Sequence, residues 1–117
     1  MAGLLLCAKD MERRMAGRRN ALGLGIMERR GDLLSSARAR DISVTGVFLL
    51  GRVMGGPRRA RLEIPVPGGL LMVEALQVRD GGTADGFGAA YRFLPMSLAN
   101  RGRLSALLRE LDEYAAS

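Results

Sequence analysis

The chain of 117 residues contains no histidine, no tryptophan and a single cysteine, Cys7. Without histidine or clustered cysteines, the usual ligands of transition metals and the usual bases of catalytic triads are missing. One cysteine cannot close an internal disulfide, which favours a reducing compartment. The sequence also lacks a GxxxxGK[ST] loop for nucleotide hydrolysis. It therefore predicts a cytoplasmic protein that is not an enzyme and that needs no metal or cofactor.

Long hydrophobic runs are missing as well. The opening apolar stretch, Leu4 to Ala8, is shorter than a signal-peptide core or a membrane span. We therefore expect a protein that is neither exported nor inserted into a membrane. Hydrophobic residues make up 48% of the chain and charged residues 26%, as in ordinary globular proteins. We predict one domain over residues 12–117, preceded by an N-terminal extension, residues 1–11, that is disordered or a short helix.

Lysine is nearly absent, because all but one of the 18 basic residues are arginines, and the net charge is +6. The planar guanidinium group suits phosphates and the O6/N7 edge of guanine better than an ammonium group does. A genome rich in G and C would also produce many arginines without a functional reason. Composition alone leaves both explanations open, so the positions of the arginines matter more than their number.

The middle of the chain alternates apolar and polar residues with the period of two that is typical of strands with one buried face. Turns rich in glycine and proline separate these segments at hairpin spacing. The predicted strands are residues 21–27, 34–40, 47–50, 59–66, 70–79 and 87–93. The segment 28–32 is predicted to be a polar turn, and the pairs Arg29-Arg30 and Arg58-Arg59 are predicted to be solvated loop charges.

The period changes to that of a helix near the C-terminus. Ser97 is a candidate N-cap, and an apolar stripe follows at helical spacing. The stripe consists of Leu104, Leu107, Leu108, Leu111, Tyr114 and Ala115. We predict an all-β domain with a C-terminal helix: a six-stranded antiparallel β-barrel with one mouth or edge covered by the helix.

Two short patterns are the candidates for a binding site. RxxxR spans Arg14 to Arg18, just before the first predicted strand, and DxSxxG consists of Asp41, Ser43 and Gly46. In a chain this rich in arginine, a pair spaced by four is expected about twice by chance. DxSxxG fixes three positions and has a chance frequency of about a few per cent, so it supplies most of the specificity.

In this order and at this separation, the two patterns resemble the signature of the PilZ family, bacterial receptor domains for cyclic di-GMP. Similarity continues in Val47 to Leu49 and in residues 88–93 with the helix that follows. The resemblance implies a six-stranded barrel with a C-terminal helix and an arginine-bearing arm that wraps over ligand on the barrel surface. A departure is Arg19-Asn20, where an aliphatic residue is common after the second arginine, so the arm could enter the first strand differently.

The residue types in the two patterns suit such a ligand, which carries two phosphates and two guanines. Arg14 and Arg18 can bind phosphate oxygens or the O6/N7 edge of guanine bidentately. Asp41 can accept hydrogen bonds from the Watson–Crick edge of guanine, whereas a phosphate would not tolerate a carboxylate beside it. Ser43 adds a small hydroxyl group. Gly46 either permits a positive φ in the turn or leaves room for the ligand.

Arg13 belongs to the predicted site only through the resemblance, which implies that a basic residue before the first motif arginine favours a stacked pair of ligands. Other functions stay open. The arginines could form a solvated basic arm, or the domain could be a small basic barrel that binds RNA or single-stranded DNA. A domain that has lost its ligand could act purely in protein interaction. The two patterns favour a cyclic di-GMP receptor that signals to a protein partner, with nucleic acid the less favoured ligand.

Overall fold

The computed structural model describes residues 17–21, 23–51, 58–83 and 86–116. The predicted N-terminal extension, residues 1–11, lies outside them. The elements in chain order are β1 (Arg19–Asn20), β2 (Gly25–Arg30), β3 (Leu33–Ile42), β4 (Gly46–Leu50), β5 (Arg59–Val66), β6 (Gly69–Thr83), β7 (Gly86–Phe93) and α1 (Leu98–Ala116).

Six strands close into an antiparallel barrel in the order β3-β2-β5-β6-β7-β4, and β4 pairs with β3 to complete the circle. The two-residue strand β1 also pairs with β3, and it places Asn20 opposite Asp41. A turn at Gly23, with a φ of 97°, separates β1 from β2. The chain that leads into the barrel thus runs beside the strand that carries Asp41. The predicted fold class, a six-stranded barrel with a C-terminal helix, is confirmed.

The interior is filled by alternate residues of the strands, as the period of two requires. The cleanest example is β5, where every second residue is buried and the intervening ones are exposed or half-buried. Side chains that are fully buried in the core include Ile26, Ile42, Leu49, Leu62, Ile64 and Leu71. Removing this apolar surface from water, at about 25 cal/mol per Å², is the main force that holds the barrel together.

Strand β2 runs further than the sequence indicates, because it continues through Arg30. The predicted polar turn over residues 28–32 is therefore wrong, and the turn is confined to Gly31 and Asp32. Arg30 is also wrongly predicted to be a solvated loop charge, because it is only 5% exposed. Its neighbour Arg29 is exposed, as expected. The alternation continues through two charged residues because the barrel interior supplies partners for them.

Those partners form a polar network inside the barrel. Arg30 Nε donates to Glu28 Oε2 at 2.9 Å, and its Nη2 donates to Gln77 Oε1 at 2.6 Å and to the Tyr91 hydroxyl at 2.8 Å. The Tyr91 hydroxyl in turn donates to Glu28 Oε2. Burial, and then the hydrogen bond to Glu28, raise the pKa of Tyr91 to about 12. Tyr91 therefore stays protonated and remains a donor at physiological pH.

The helix begins where the sequence predicts. Ser97 Oγ accepts a hydrogen bond from the Asn100 backbone N–H at 3.1 Å, which confirms Ser97 as the N-cap. Leu104, Leu107 and Leu108 are buried against the barrel. Tyr114 was predicted to belong to the same apolar stripe and does not, because it is 83% exposed. The packed face of the helix therefore ends before its last turn.

Candidate functional site

Asp41 lies at an irregularity in the pairing of β3 with β4. Ala39 pairs with Leu49 and Asp41 pairs with Phe48, so Arg40 is an extra residue that nothing on β4 opposes. Such a β-bulge breaks the strict alternation of faces, which lets the neighbouring side chains of Arg40 and Asp41 contact each other. Asp41 is thus the penultimate residue of β3, and the prediction that it follows the end of the strand is wrong.

Two arginines hold the carboxylate of Asp41. Arg18 Nη1 donates to Oδ1 at 3.0 Å, and Arg40 Nε donates to Oδ2 at 2.8 Å. The Asp41 side chain is 17% exposed and that of Arg18 is 59% exposed. A carboxylate can accept about four hydrogen bonds, so these two contacts leave acceptor capacity for a third group. The structure therefore brings Arg18 of the first pattern and Asp41 of the second into direct contact.

The turn that follows is held by Ser43. The Ser43 backbone N–H donates to the Gly46 carbonyl at 2.9 Å, and the Thr45 N–H donates to Ser43 Oγ at 3.2 Å. Ser43 Oγ also lies 3.0 Å from Thr45 Oγ1. Ser43 is buried, so its hydroxyl group stabilises the turn from within. Three contacts of Ser43 thus hold the turn, and Asp41 lies two residues before it.

Gly46 is required for a reason that the sequence did not reveal. Its φ is outside the positive range, so the turn does not need a left-handed residue at this position. A Cβ atom at Gly46 would instead overlap the backbone carbonyl oxygen of Tyr91 on β7. Gly46 pairs with Arg92 in this ladder. The glycine therefore lets two backbones of the barrel approach each other.

A pocket of about 150 Å³ lies over these residues on the outer side of the barrel. Besides the motif residues, its lining includes Phe48, Val78, Ala90 and Arg92. Val78 occupies a second irregularity, where β6 shifts register against β7. The pocket is smaller than the 300–1,000 Å³ that usually encloses a drug-sized ligand. It can hold a part of a ligand, such as one base, while the rest lies across the surface.

Phe48 forms one wall of the pocket. The Arg40 guanidinium lies 4.0 Å from the centre of its ring, and Gly88 packs so closely that a Cβ there would overlap the ring. Phe48 is only 4% exposed as a result. Arg40 therefore both stacks on the ring and holds Asp41, a combination that fixes the orientation of the carboxylate.

The electrostatics of the pocket are positive. Arg18, Arg40 and Arg92 bring three formal positive charges to it or its edge, against the single negative charge of Asp41. Arg92 lies on β7, two residues beyond Ala90, and it is exposed. This arrangement suits a ligand that carries both a negatively charged group and a hydrogen-bond donor. The arginines can bind the negative group, and the carboxylate of Asp41 can accept from the donor.

The sequence missed Arg40, Phe48, Val78 and Arg92 as members of the site. In the sequence, Phe48 is only an apolar residue of the predicted strand 47–50, and the others belong to neither pattern. Their places depend on two bulges and on strand neighbours distant in the chain. Two predicted site residues, Arg13 and Arg14, lie outside the residues that the structure describes.

Arg19, next to Arg18, makes a different contact. Its Nε and Nη2 donate to the two carboxylate oxygens of Asp112 on α1, at 2.9 and 3.1 Å. Its Nη1 donates to the Gly17 carbonyl at 2.9 Å. The hydrogen bond from Arg19 lowers the pKa of Asp112. The departure at Arg19 noted in the sequence thus corresponds to a link between the start of the barrel and the helix.

A second, larger groove of about 460 Å³ lies between the 43–46 turn, residues 93–96 and α1. It is mainly apolar, and Arg101 is its one charged lining residue.

Within the described ranges, no group of acidic, cysteine or histidine side chains could hold a metal ion. In the same ranges, no helix has the length and apolar character of a membrane span. The pocket beside Asp41 is the candidate site, because residues of both sequence patterns line it.

Solved structures with this fold include several PilZ domains. The PilZ domain of YcgR from Escherichia coli, solved with cyclic di-GMP, matches with a TM-score of 0.67 and 17% identity over 84% of this chain and 90% of that one. The PilZ domain of CeSA from a cellulose-synthesizing bacterium matches with a TM-score of 0.63 and 17% identity, over 81% and 97%. MotI/DgrA of Bacillus subtilis, an inhibitor of motility, matches with a TM-score of 0.66 and 16% identity over 85% of this chain.

The present chain spans 49% of MotI/DgrA, about half of its length. The sequence itself matches no protein-family model and no curated protein. The protein therefore has a PilZ-like fold, established by structure at low sequence identity.

Proposed function

We propose that this PilZ-like domain is a cytoplasmic receptor for cyclic di-GMP that passes the signal to a protein partner. The observation that carries the proposal is the pairing of Arg18 with Asp41. One residue from each of the two sequence patterns meets the other at a pocket on the barrel surface, 3.0 Å apart. The YcgR domain with the same fold was solved with this nucleotide.

Asp41 is the group that selects the base. A phosphate placed beside a carboxylate would be repelled, whereas the N1–H and N2–H₂ groups of guanine are donors that a carboxylate accepts. Arg40 holds Asp41 in place by its 2.8 Å hydrogen bond, so the acceptor is oriented before the ligand arrives. A preoriented acceptor loses less entropy on binding.

The arginines supply the phosphate contacts. Arg18 is largely exposed and reaches Asp41 across the pocket, so it can turn towards a phosphate while guanine takes its place on the carboxylate. Arg92 offers a second guanidinium from a strand of the barrel. Arg14 is four residues before Arg18 and is proposed to close over the ligand, with Arg13 beside it. Binding thus gains contacts that exist only with the arm closed, and these drive the change in conformation.

The competing hypothesis of RNA or single-stranded DNA binding has less support. Proteins that bind single strands usually stack bases on exposed aromatic rings. Of the aromatic side chains that the structure describes, Phe48, Tyr91 and Phe93 are buried, and Tyr114 is exposed on the helix away from the pocket lining. The described surface therefore offers no row of aromatic rings along which a strand could stack.

Isothermal titration calorimetry with cyclic di-GMP, with GMP as the comparison ligand, tests the proposal. We expect micromolar or tighter binding, which corresponds to about −8 kcal/mol. The double variant Arg14→Ala/Arg18→Ala should lose at least about 2 kcal/mol, since each bidentate contact is worth about 1–3 kcal/mol.

A matched control is Arg101→Ala/Arg109→Ala, which removes the same charge from exposed positions on α1. It should bind cyclic di-GMP nearly as the wild type does. Wild-type protein that fails to bind at tens of micromolar contradicts the receptor proposal. Equal losses in both double variants, with steep salt dependence and similar affinity for an RNA oligonucleotide, would favour the nucleic-acid hypothesis instead.

A further inference from the structure

The ion pair between Arg19 and Asp112 connects the binding pocket to the C-terminal helix. We call this pair the clasp. Arg18 lies just before β1 and Arg19 is the first residue of β1, and their side chains make contacts with different parts of the protein. Arg18 contacts Asp41 at the pocket, whereas Arg19 contacts Asp112 on α1, 93 residues away in the chain. One short segment therefore touches both the candidate site and the helix.

The geometry of the clasp is that of a strong surface ion pair. Two parallel N–H donors of Arg19 meet the two oxygens of one carboxylate, at 2.9 and 3.1 Å. This bidentate arrangement is the case in which an exposed pair contributes measurably, whereas most contribute little. The Arg19 side chain is 24% exposed and that of Asp112 is 54% exposed, so water screens the pair in part.

The third contact of Arg19 extends the clasp to the backbone. Its Nη1 donates to the carbonyl of Gly17, immediately before Arg18. At Asn20 the backbone is already paired with β3, opposite Asp41. The segment from Gly17 to Asn20 is thus held at both ends.

From these contacts we infer that Arg19 and Asp112 are positioning residues for the nucleotide: they fix the base of the arginine arm so that Arg14 and Arg18 meet the ligand at a reduced entropic cost. This inference rests on the proposed cyclic di-GMP site and extends it to a residue on the helix, at a position that carries no motif. By thermodynamic reciprocity, whatever displaces the end of α1 lowers affinity for the nucleotide, and bound nucleotide resists that displacement.

The test compares Asp112→Asn with Glu110→Gln, because each removes one exposed carboxylate from the same helix. Titration calorimetry should give an affinity for cyclic di-GMP about two- to fivefold weaker for Asp112→Asn, because a solvent-exposed ion pair contributes little even when it is bidentate. Glu110→Gln should match the wild type. The charge swap Arg19→Asp/Asp112→Arg should recover most of the affinity lost in Asp112→Asn.

Two further measurements separate positioning from a general structural effect. In the Arg14→Ala/Arg18→Ala background, Asp112→Asn should have no additional effect, because the clasp acts through those arginines. Hydrogen exchange without ligand should be faster at the Ala21 amide, which donates to the Arg40 carbonyl, in Asp112→Asn but not in Glu110→Gln.

The outcomes also distinguish this inference from the proposed function. If the wild type binds cyclic di-GMP and Asp112→Asn binds equally well, the inference is wrong and the receptor function stands. A charge swap that restores nothing, or an undiminished effect of Asp112→Asn without Arg14 and Arg18, likewise overturns it. If the wild type does not bind, the receptor proposal fails and the positioning role fails with it.

Discussion

Replacing Arg30 by methionine should destabilise the protein strongly, although the sequence around Arg30 predicts a solvated residue. Arg30 is 5% exposed and donates to Glu28, Gln77 and Tyr91 at distances of 2.6–2.9 Å. Methionine fills much of the same volume but donates no hydrogen bond. The variant would leave the carboxylate of Glu28, which has no exposed surface, without its cation.

The expected magnitude follows from the loss of the charge partner of that carboxylate. Leaving a buried charge without its partner costs about 3–5 kcal/mol. We therefore expect a loss of about 3–5 kcal/mol in the free energy of unfolding at pH 7.

Urea denaturation followed by far-ultraviolet circular dichroism at pH 7 measures this loss. Arg29→Met is the matched control, because Arg29 is the neighbouring residue on the same strand and is exposed. It should change the free energy of unfolding by less than about 0.5 kcal/mol. A loss below about 1 kcal/mol for Arg30→Met at pH 7, or equal losses in the two variants, would refute the buried network.

Three further predictions use the same physical reasoning. Gly46→Ala should lower the free energy of unfolding by about 1–3 kcal/mol, because the added methyl group would overlap the backbone carbonyl oxygen of Tyr91. The control Gly102→Ala, in open space on α1, should be neutral or stabilising, and urea denaturation compares the two variants. In a Tyr114→Phe variant the absorbance of Tyr91 should titrate near pH 12, and a midpoint near pH 10 would contradict the burial of Tyr91. The raised pKa of Tyr91 stabilises the folded state below about pH 10, and this stabilisation should be lost as the pH rises towards 12. Ser97→Ala should cost about 1 kcal/mol through loss of the N-cap, and an unchanged urea midpoint would contradict that role.

Much of the fold could be predicted because its signals are local. The alternation over residues 59–66 matches β5. The helix begins after Ser97, where a hydroxyl side chain precedes apolar residues at helical spacing. In each case the residues that determine the structure are neighbours in the chain, so a period or a cap is visible without the partner strands.

The errors share the opposite cause. The burial of Arg30 depends on Gln77 and Tyr91, which are 47 and 61 residues away in the chain. A charged residue at the end of a strand gives no local sign that such partners exist. Tyr114 fits the helical period of the apolar stripe, but the barrel does not extend far enough to cover it.

The sequence by itself determined the strand periodicity, the N-cap and the two motifs from which a nucleotide site was predicted. The tertiary structure decided how the site is built: a bulge places Arg40 beside Asp41, Phe48 lies beneath Arg40, and Gly46 admits the backbone of β7. The physical reason is the distance along the chain between the residues that interact. Periodicity and capping arise within a few residues, whereas the orientation of a carboxylate and the burial of a charge depend on strands that meet only when the barrel closes.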